Sequence, residues 1–188
     1  MFTGSIVAIV TPMQAGVGPD TALDYKALER LIEFHIEQGT TAIVAVGTTG
    51  ESATLTEEEH CAVIEITVKL VKGRIPVIAG TGANSTIEAI SLTKCAKEVG
   101  ADACLLVTPY YNKPTQEGLF QHYKKINDNV GIPIIIYNIP SRSVIDMSVN
   151  TMSKLYELKN IIGVKDATGD LNRVDQQLNT MGKEFIQL

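Results

Sequence analysis

The sequence carries a lysine and a tyrosine at the ends of two short apolar runs. Ile161–Val164 leads into Lys165, and Ile134–Ile136 leads into Tyr137. Such β-branched runs predict buried strands. A lysine on buried ground loses proton affinity, because burial disfavours its charged form, and it can then attack a carbonyl to form a Schiff base. The competing interpretation is structural: Lys165 reaches solvent along its stem or pairs with Asp166.

Loops after neighbouring predicted strands add hydroxyls, phenols and a cation. Gly47–Ser52 contains two glycines and two threonines, which can present N–H and O–H groups to an anion, but it lacks the lysine of a nucleotide-binding loop. Tyr110 and Tyr111 follow another strand, and Arg142 offers a planar fork suited to a carboxylate. Each motif also has a structural interpretation: Gly47–Ser52 could be an ordinary βα turn, the two tyrosines could serve packing, and Arg142 could be a solvated loop residue. Together they favour Schiff-base chemistry on a small keto acid.

Strands and helices that alternate along the chain would position these residues. The strand candidates start roughly 25–35 residues apart, the spacing of βα units joined by crossover helices. Most are continuous apolar runs, as in sheets covered on both faces. No Gly-x-Gly-x-x-Gly follows the first strand, which favours a closed barrel over a dinucleotide-binding sheet. The predicted strands are Ser5–Thr11, Ala42–Gly47, Pro76–Gly82, Ala103–Pro109, Pro133–Asn138, Ile161–Ala167 and Phe185–Leu188.

Helical periodicity fills the gaps between these strands. Thr56 and Glu59 predict a capping box, and Pro114-Thr115 predicts another helix start. Four apolar stripes are predicted to face the core: Leu28 to Ile36, Val63 to Val71, Leu119 to Val130, and Leu171 with Val174, Leu178 and Met181.

Composition limits the classes of partner. The chain has 188 residues, 45% of them hydrophobic, and a formal net charge of −5. It offers no basic surface for nucleic acid or membranes, so small molecules or other copies of the chain are the expected partners. Cys61, Cys95 and Cys104 lack C-x-x-C spacing, so we predict no disulfide framework and no zinc site, with Cys95 and Cys104 acting as small hydrophobes. The dispersed histidines predict no metal, and the absence of a basic leader predicts a cytoplasmic protein.

Length limits how much of a barrel is present. A (β/α)8 TIM barrel usually needs about 250 residues, and this sequence stops inside its seventh predicted strand. We therefore expect a single α/β domain over residues 1–188, a (β/α)8 TIM barrel truncated after about six βα units plus the start of strand seven. The eighth unit is expected to be absent.

On these motifs the sequence resembles the dihydrodipicolinate synthase family of pyruvate-dependent aldolases. The resemblance runs from Gly4–Ala8 through Gly47–Ser52 and Tyr137–Arg142 to Gly163–Gly169. It implies a lyase that condenses pyruvate with aspartate 4-semialdehyde in lysine and diaminopimelate biosynthesis, without a cofactor. It also implies a longer chain with a C-terminal helical domain, assembled as a homotetramer of two dimers.

The resemblance assigns roles to individual residues. Lys165 matches the Schiff-base lysine, and Tyr137, Thr48 and Tyr111 match the proton relay, with Tyr111 supplied by the neighbouring subunit. Thr49 and Arg142 match the contacts to the carboxylates of pyruvate and of the aldehyde. An allosteric site for the feedback inhibitor lysine matches Ser52, Ala53, His60, Asn84, Glu88 and Tyr110.

Two alternatives stay open at this point. Lyases for N-acetylneuraminate or keto-deoxy-sugar acids share the lysine and tyrosine, although Gly47–Glu51, the paired tyrosines and Asn138–Arg142 favour the synthase by resemblance. The second alternative is a catalytically silent, truncated fragment that only associates with other copies or partners.

Overall fold

Seven parallel strands form one sheet whose spatial order is the order of the sequence. The computed structural model describes residues 2–16 and 22–188. All seven predicted strands are present, although regular pairing is shorter than the apolar runs, most of all in the first and last strands. The strands are β1 Ile6–Ala8, β2 Ala42–Ala45, β3 Val77–Gly80, β4 Ala103–Val107, β5 Ile134–Asn138, β6 Ile161–Asp166 and β7 Ile186–Gln187.

The strands separate two apolar cores because successive side chains point to opposite faces of a sheet. Val44, Leu105, Ile135 and Tyr137 belong to the inner core, on the concave side of the sheet. Their chain neighbours belong to a larger outer core beneath the helices, for example Ile136. Burial on both faces explains why the strands are uninterrupted apolar runs.

Helices cover the outer face, and capping residues fix where several of them begin. The predicted capping box is present: Thr56 accepts from the Glu59 N–H, and the Glu59 carboxylate accepts from the Thr56 N–H. Ser85 and Thr115 cap two further helices. The helices are α1 Tyr25–Glu37, α2 Glu57–Val71, α3 Thr86–Glu98, α4 Gln116–Val130, α5 Pro140–Ser143, α6 Val149–Tyr156 and α7 Asn172–Met181.

The predicted core face of α7 is confirmed at Met181 and wrong at its other three positions. Leu171 is 83% exposed, and Val174 and Leu178 are also exposed, whereas Gln177 and Met181 are buried. The Gln177 amide donates to a carboxylate at the end of β6, so the buried face of α7 includes a polar contact. Leu171, Val174 and Leu178 instead line surface cavities beside β7.

The cysteine prediction is wrong for one pair and right for the third residue. Cys61 of α2 and Cys95 of α3 form a disulfide, with Cα atoms 6.2 Å apart. Their 34-residue separation carries no local signal, because the two positions meet only when α2 packs on α3. Cys104 is a buried free thiol, and burial raises its pKa to about 12.

None of the helices in the described part of the chain combines the length and apolarity that a membrane span requires.

Candidate active site

Lys165 and Tyr137 lie side by side at the carboxyl ends of β6 and β5. The two residues are direct partners in the strand register, and the Lys165 Nζ atom lies 4.4 Å from the centroid of the Tyr137 ring. Tyr137 is 7% exposed, and Lys165 is half-buried. Desolvation lowers the pKa of Lys165 below its usual value. The strand ends thus bring the predicted nucleophile and the predicted proton carrier into contact.

The alternative pairing of Lys165 with Asp166 does not occur. Consecutive strand residues face opposite sides of the sheet, so Asp166 points towards the helices and accepts from Arg173 Nε at 2.8 Å. Lys165 forms no ion pair with any residue that the structure describes. Burial therefore lowers the pKa of Lys165, and no carboxylate in the described part of the chain pairs with the ammonium ion to raise it again.

An apolar cavity of about 280 Å³ lies next to Lys165 on the inner face of the sheet. Val44, Ile78, Leu105 and Ile135 line it, and the lysine stem completes it. An apolar wall supplies no compensation for an ammonium ion, which is the physical cause of the desolvation.

A second cavity of about 230 Å³ lies among the loops at the carboxyl ends of β2, β4 and β5. Arg142 reaches it from α5, a short helix that Pro140 begins directly after the β5 strand. Thr48 reaches it from the first of two short 3₁₀ turns that follow β2. The remaining lining residues are Glu51, Ser52, Ala53, Gly82, Val107, Tyr110, Ile139 and Ser143.

Backbone strain concentrates in the same loops. Six described residues other than glycine have a positive φ, and five of them follow the ends of β2, β4 and β5. Residues other than glycine rarely adopt a positive φ because it brings the side chain too close to the backbone. Where they do, the surrounding structure holds them in that conformation, and they are found most often at functional sites. The five are Val46, Glu51, Tyr111, Lys113 and Val144.

Tyr111 and Thr49 are predicted site residues that line neither cavity and are exposed. Tyr111 is 90% exposed and has a φ of 73°, so its phenol points away while Tyr110 lines the second cavity. Thr49 is exposed next to Thr48. The structure therefore separates the two adjacent tyrosines, as their positions in a tight loop predict.

The residues predicted to bind an inhibitor form a partial group around Tyr110. Burial and the nearby Glu88 carboxylate raise the pKa of Tyr110, while a backbone contact from Asn84 opposes the change. Ser52 and Ala53 share its cavity. His60 instead lies buried with Nε2 2.7 Å from the Gly80 carbonyl oxygen, and desolvation lowers its pKa despite that contact.

Sequence reasoning missed a polar group on the other side of β5 and β6. Asn138 and Asp166 pair directly in the register, one residue beyond Tyr137 and Lys165. Arg173 and Gln177 donate to Asp166 from α7. The polar residues at the ends of these apolar strands were a usable signal, but their partners come from α7, whose apolar periodicity does not identify Arg173 and Gln177 as residues that face the sheet.

Known proteins resemble this chain in sequence and in fold. The chain matches the model of the Dihydrodipicolinate synthetase family over residues 1–188. It is 63% identical over 188 residues to the 4-hydroxy-tetrahydrodipicolinate synthase of Pelagibacter ubique, covering 100% of this chain and 62% of that protein. It thus spans about three fifths of the length of the curated relatives it matches.

Solved structures agree with the fold. The chloride-inhibited dihydrodipicolinate synthase from Acinetobacter baumannii, complexed with pyruvate, superposes with a TM-score of 0.94 at 57% identity, over 98% of this chain and 62% of that one. The enzyme from Cyanidioschyzon merolae with lysine bound gives 0.92 at 39% identity, over 97% and 61%. These similarities confirm the truncated (β/α)8 barrel, and the chain belongs to the dihydrodipicolinate synthetase family.

Proposed function

We propose that this chain carries the Schiff-base site of a 4-hydroxy-tetrahydrodipicolinate synthase, a lyase that joins pyruvate to aspartate 4-semialdehyde. The observation that carries the proposal is the Lys165 amine, 4.4 Å above the Tyr137 ring at the edge of an apolar cavity. An unperturbed lysine is neutral in only about one molecule in a few thousand at pH 7, so the lowered pKa is what a nucleophile needs.

The chemistry begins when neutral Lys165 attacks the keto carbon of pyruvate. The carbinolamine loses water to give a protonated imine, and loss of a methyl proton converts the imine to an enamine. The enamine carbon then bonds to the aldehyde carbon of aspartate semialdehyde. The amino group of the new side chain attacks the imine carbon, closes the ring and releases Lys165.

Each of these steps moves a proton, and Tyr137 is the group in contact with the lysine. A free tyrosine is a poor base at neutral pH, so its hydroxyl needs partners that pass the proton on. Thr48 is proposed as one partner and Tyr111 of a neighbouring copy as the other. The exposure of Tyr111 supports this assignment, because a phenol that points away from its own chain is available to a second one.

The substrate carboxylates are assigned to the loop residues. Thr49 is proposed to contact pyruvate, and Arg142 the aldehyde substrate, through paired charge-assisted hydrogen bonds. The position of Arg142 on the second cavity supports the latter assignment. A homotetramer built from two dimers is the proposed assembly, and the cytoplasm is the proposed location.

Feedback inhibition by lysine is proposed at Ser52, Ala53, His60, Asn84, Glu88 and Tyr110. Tyr110 lines the same cavity as Thr48 and Arg142 and also lies near Glu88, so a ligand there would contact the candidate active site directly. The relative from Cyanidioschyzon merolae with lysine bound is consistent with such a site.

Trapping with borohydride tests the proposal. The full-length protein is incubated with pyruvate, reduced with borohydride and mapped by peptide mass spectrometry. We expect one stable adduct on Lys165, none in Lys165→Arg, and an unaffected adduct in a Lys159→Arg control from the turn before β6. An adduct on another lysine, or none at all, contradicts the mechanism. Efficient cleavage of N-acetylneuraminate would instead favour a sugar-acid lyase.

A further inference from the structure

A group of polar side chains on the outer face of the sheet, next to Lys165 and Tyr137, is largely shielded from solvent. Asn138 is fully buried, and the side chains of Asp166 and Arg173 are each 11% exposed. We call Asn138, Asp166, Arg173 and Gln177 the outer clamp. Because Tyr137 pairs with Lys165 and Asn138 pairs with Asp166, the outer clamp lies on the helix side of the same two strand ends.

Asp166 is the centre of the outer clamp. Its Oδ2 atom accepts from Arg173 Nε at 2.8 Å and from Gln177 Nε2 at 2.6 Å. Its Oδ1 atom accepts from the Thr168 N–H at 3.3 Å and lies 3.4 Å from Asn138 Nδ2. Two of the four donors come from α7, one from the loop after β6 and one from β5, so three neighbouring parts of the chain meet at one carboxylate of β6.

The outer clamp also holds the segment that follows α5. Arg173 Nη2 donates to the Met147 carbonyl at 2.7 Å, and the Met147 N–H donates to Asn138 Oδ1 at 3.0 Å. Asn138 Nδ2 donates to Asp146 Oδ1 at 2.8 Å. This segment begins at Val144, whose φ of 65° is rare for a β-branched residue and requires support from its surroundings.

The same segment also affects the position of Arg142, the cation that lines the second cavity. Arg142 lies on α5, two residues before Val144, so whatever fixes residues 144–147 also fixes the end of α5. One cluster is thus bonded both to the strand ends that bear Lys165 and Tyr137 and to the segment that directly follows α5, the helix that bears Arg142. The two halves of the candidate site share one support.

We propose that Asp166, acting through Arg173 and Asn138, is a positioning residue for the reaction. It keeps the Lys165 amine against the Tyr137 ring and keeps Arg142 at the mouth of the site, without touching substrate. The inference rests on the proposed function, because it concerns the geometry of imine formation and of aldehyde binding.

Asp166→Asn tests the inference with little change of shape. The new amide keeps one acceptor oxygen, so its NH₂ group faces either the Arg173 and Gln177 donors or the Thr168 N–H and Asn138 Nδ2 donors. In either orientation the outer clamp loses its negative charge and two of the four hydrogen bonds that the carboxylate accepts. A displacement of about 1 Å at reacting groups can cost about 100-fold in rate. We expect borohydride trapping of pyruvate on Lys165 to slow about 10- to 100-fold in the full-length protein, with folding verified by circular dichroism.

Glu33→Gln is the matched control. Glu33 also accepts from an arginine, through Arg74 Nη1 at 2.7 Å and Nη2 at 2.6 Å, but this exposed pair joins α1 to the end of α2. In the Glu33→Gln variant, the rate of pyruvate trapping on Lys165 should stay within about twofold of the rate in the unaltered protein. A folded Asp166→Asn protein that traps pyruvate at the unaltered rate overturns the positioning role while leaving the proposed function intact.

Arg173→Lys provides a second test that does not depend on removing the carboxylate. An ammonium is a point charge and cannot hold both Asp166 and the Met147 carbonyl as the guanidinium fork does. We expect pyruvate trapping within about threefold of the unaltered rate and at least a tenfold loss in kcat/KM for aspartate semialdehyde. A merely structural role would lower both steps in the same proportion, and that result overturns the inference. Absence of any adduct in the unaltered protein removes the proposed function and the inference together.

Discussion

Replacing Tyr137 with phenylalanine isolates the contribution of one hydroxyl group. The ring is 7% exposed and packs in the inner core, and phenylalanine keeps that packing and the contact with the Lys165 amine. The change should therefore alter the free energy of unfolding by less than about 1 kcal/mol. What is removed is the proton carrier beside the nucleophile.

The expected loss follows from the value of proton transfer. General acid–base help contributes about 10²–10⁴-fold, so the activation free energy should rise by about 3–5 kcal/mol. The measurements are steady-state turnover of pyruvate and aspartate semialdehyde, the rate of borohydride trapping, and urea unfolding followed by circular dichroism. Both the turnover and the trapping rate should fall while the unfolding curve barely moves.

Tyr123→Phe is the matched control with the opposite expectation. The Tyr123 hydroxyl lies on the outer side of the sheet, where it donates to the Leu106 carbonyl at 2.7 Å and contacts the backbone of Tyr137 rather than its phenol. Its removal leaves a buried carbonyl without that donor and should destabilise the fold by about 1–3 kcal/mol, with turnover little changed. Turnover of Tyr137→Phe within about threefold of the unaltered enzyme would refute the assignment, as would an equal loss in the control.

Three further predictions concern specificity, acid stability and the disulfide. Arg142→Ala should reduce kcat/KM for aspartate semialdehyde at least tenfold more than it slows pyruvate imine formation, and equal effects would contradict carboxylate recognition. Burial lowers the pKa of His122 to about 4, below its unfolded value, so the unfolded chain binds more protons. The free energy of unfolding should therefore decrease by about 1.4 kcal/mol for each unit by which the pH is lowered from about 6.5 to about 4. Urea unfolding of His122→Gln should be less pH-dependent by that amount, whereas parallel curves would refute it. Reduction should add two hydrogens to the intact mass and, for the 34-residue separation of Cys61 and Cys95, lower stability by up to about 4 kcal/mol. Cys61→Ser should abolish both responses, and an unchanged mass in the unaltered protein would show that no disulfide forms.

The strand layout was predictable because it depends on local pattern and general topology. Continuous apolar runs identified all seven strands, and parallel strands place their carboxyl ends at one edge. From the sequence alone, that rule predicts that Lys165 and Tyr137 lie at the same edge of the sheet. The roles of these two residues remain proposals, because adjacency alone does not establish chemistry.

Features that depend on the contact between two distant elements were not predictable. The contact between Gln177 and Asp166 joins α7 to β6, and no periodicity in the helix reveals a carboxylate on another element. The Cys61–Cys95 bond likewise depends on how α2 packs against α3. Hydrophobic patterns describe how each element meets a core, but they do not specify which polar side chains meet across it.

The sequential order of the strands has a consequence for how the chain folds during synthesis. Every pairing joins consecutive strands, and the registers Val7–Ile43 and Val164–Gln187 represent separations of 36 and 23 residues. Short separations keep the entropy of loop closure low, and domains generally fold from the amino terminus as they emerge. Each βα unit can therefore add to a sheet edge that already exists. Lys165 contacts Tyr137 through the pairing of β6 with β5 alone, so the central contact of the site does not require α7 or β7 to have folded.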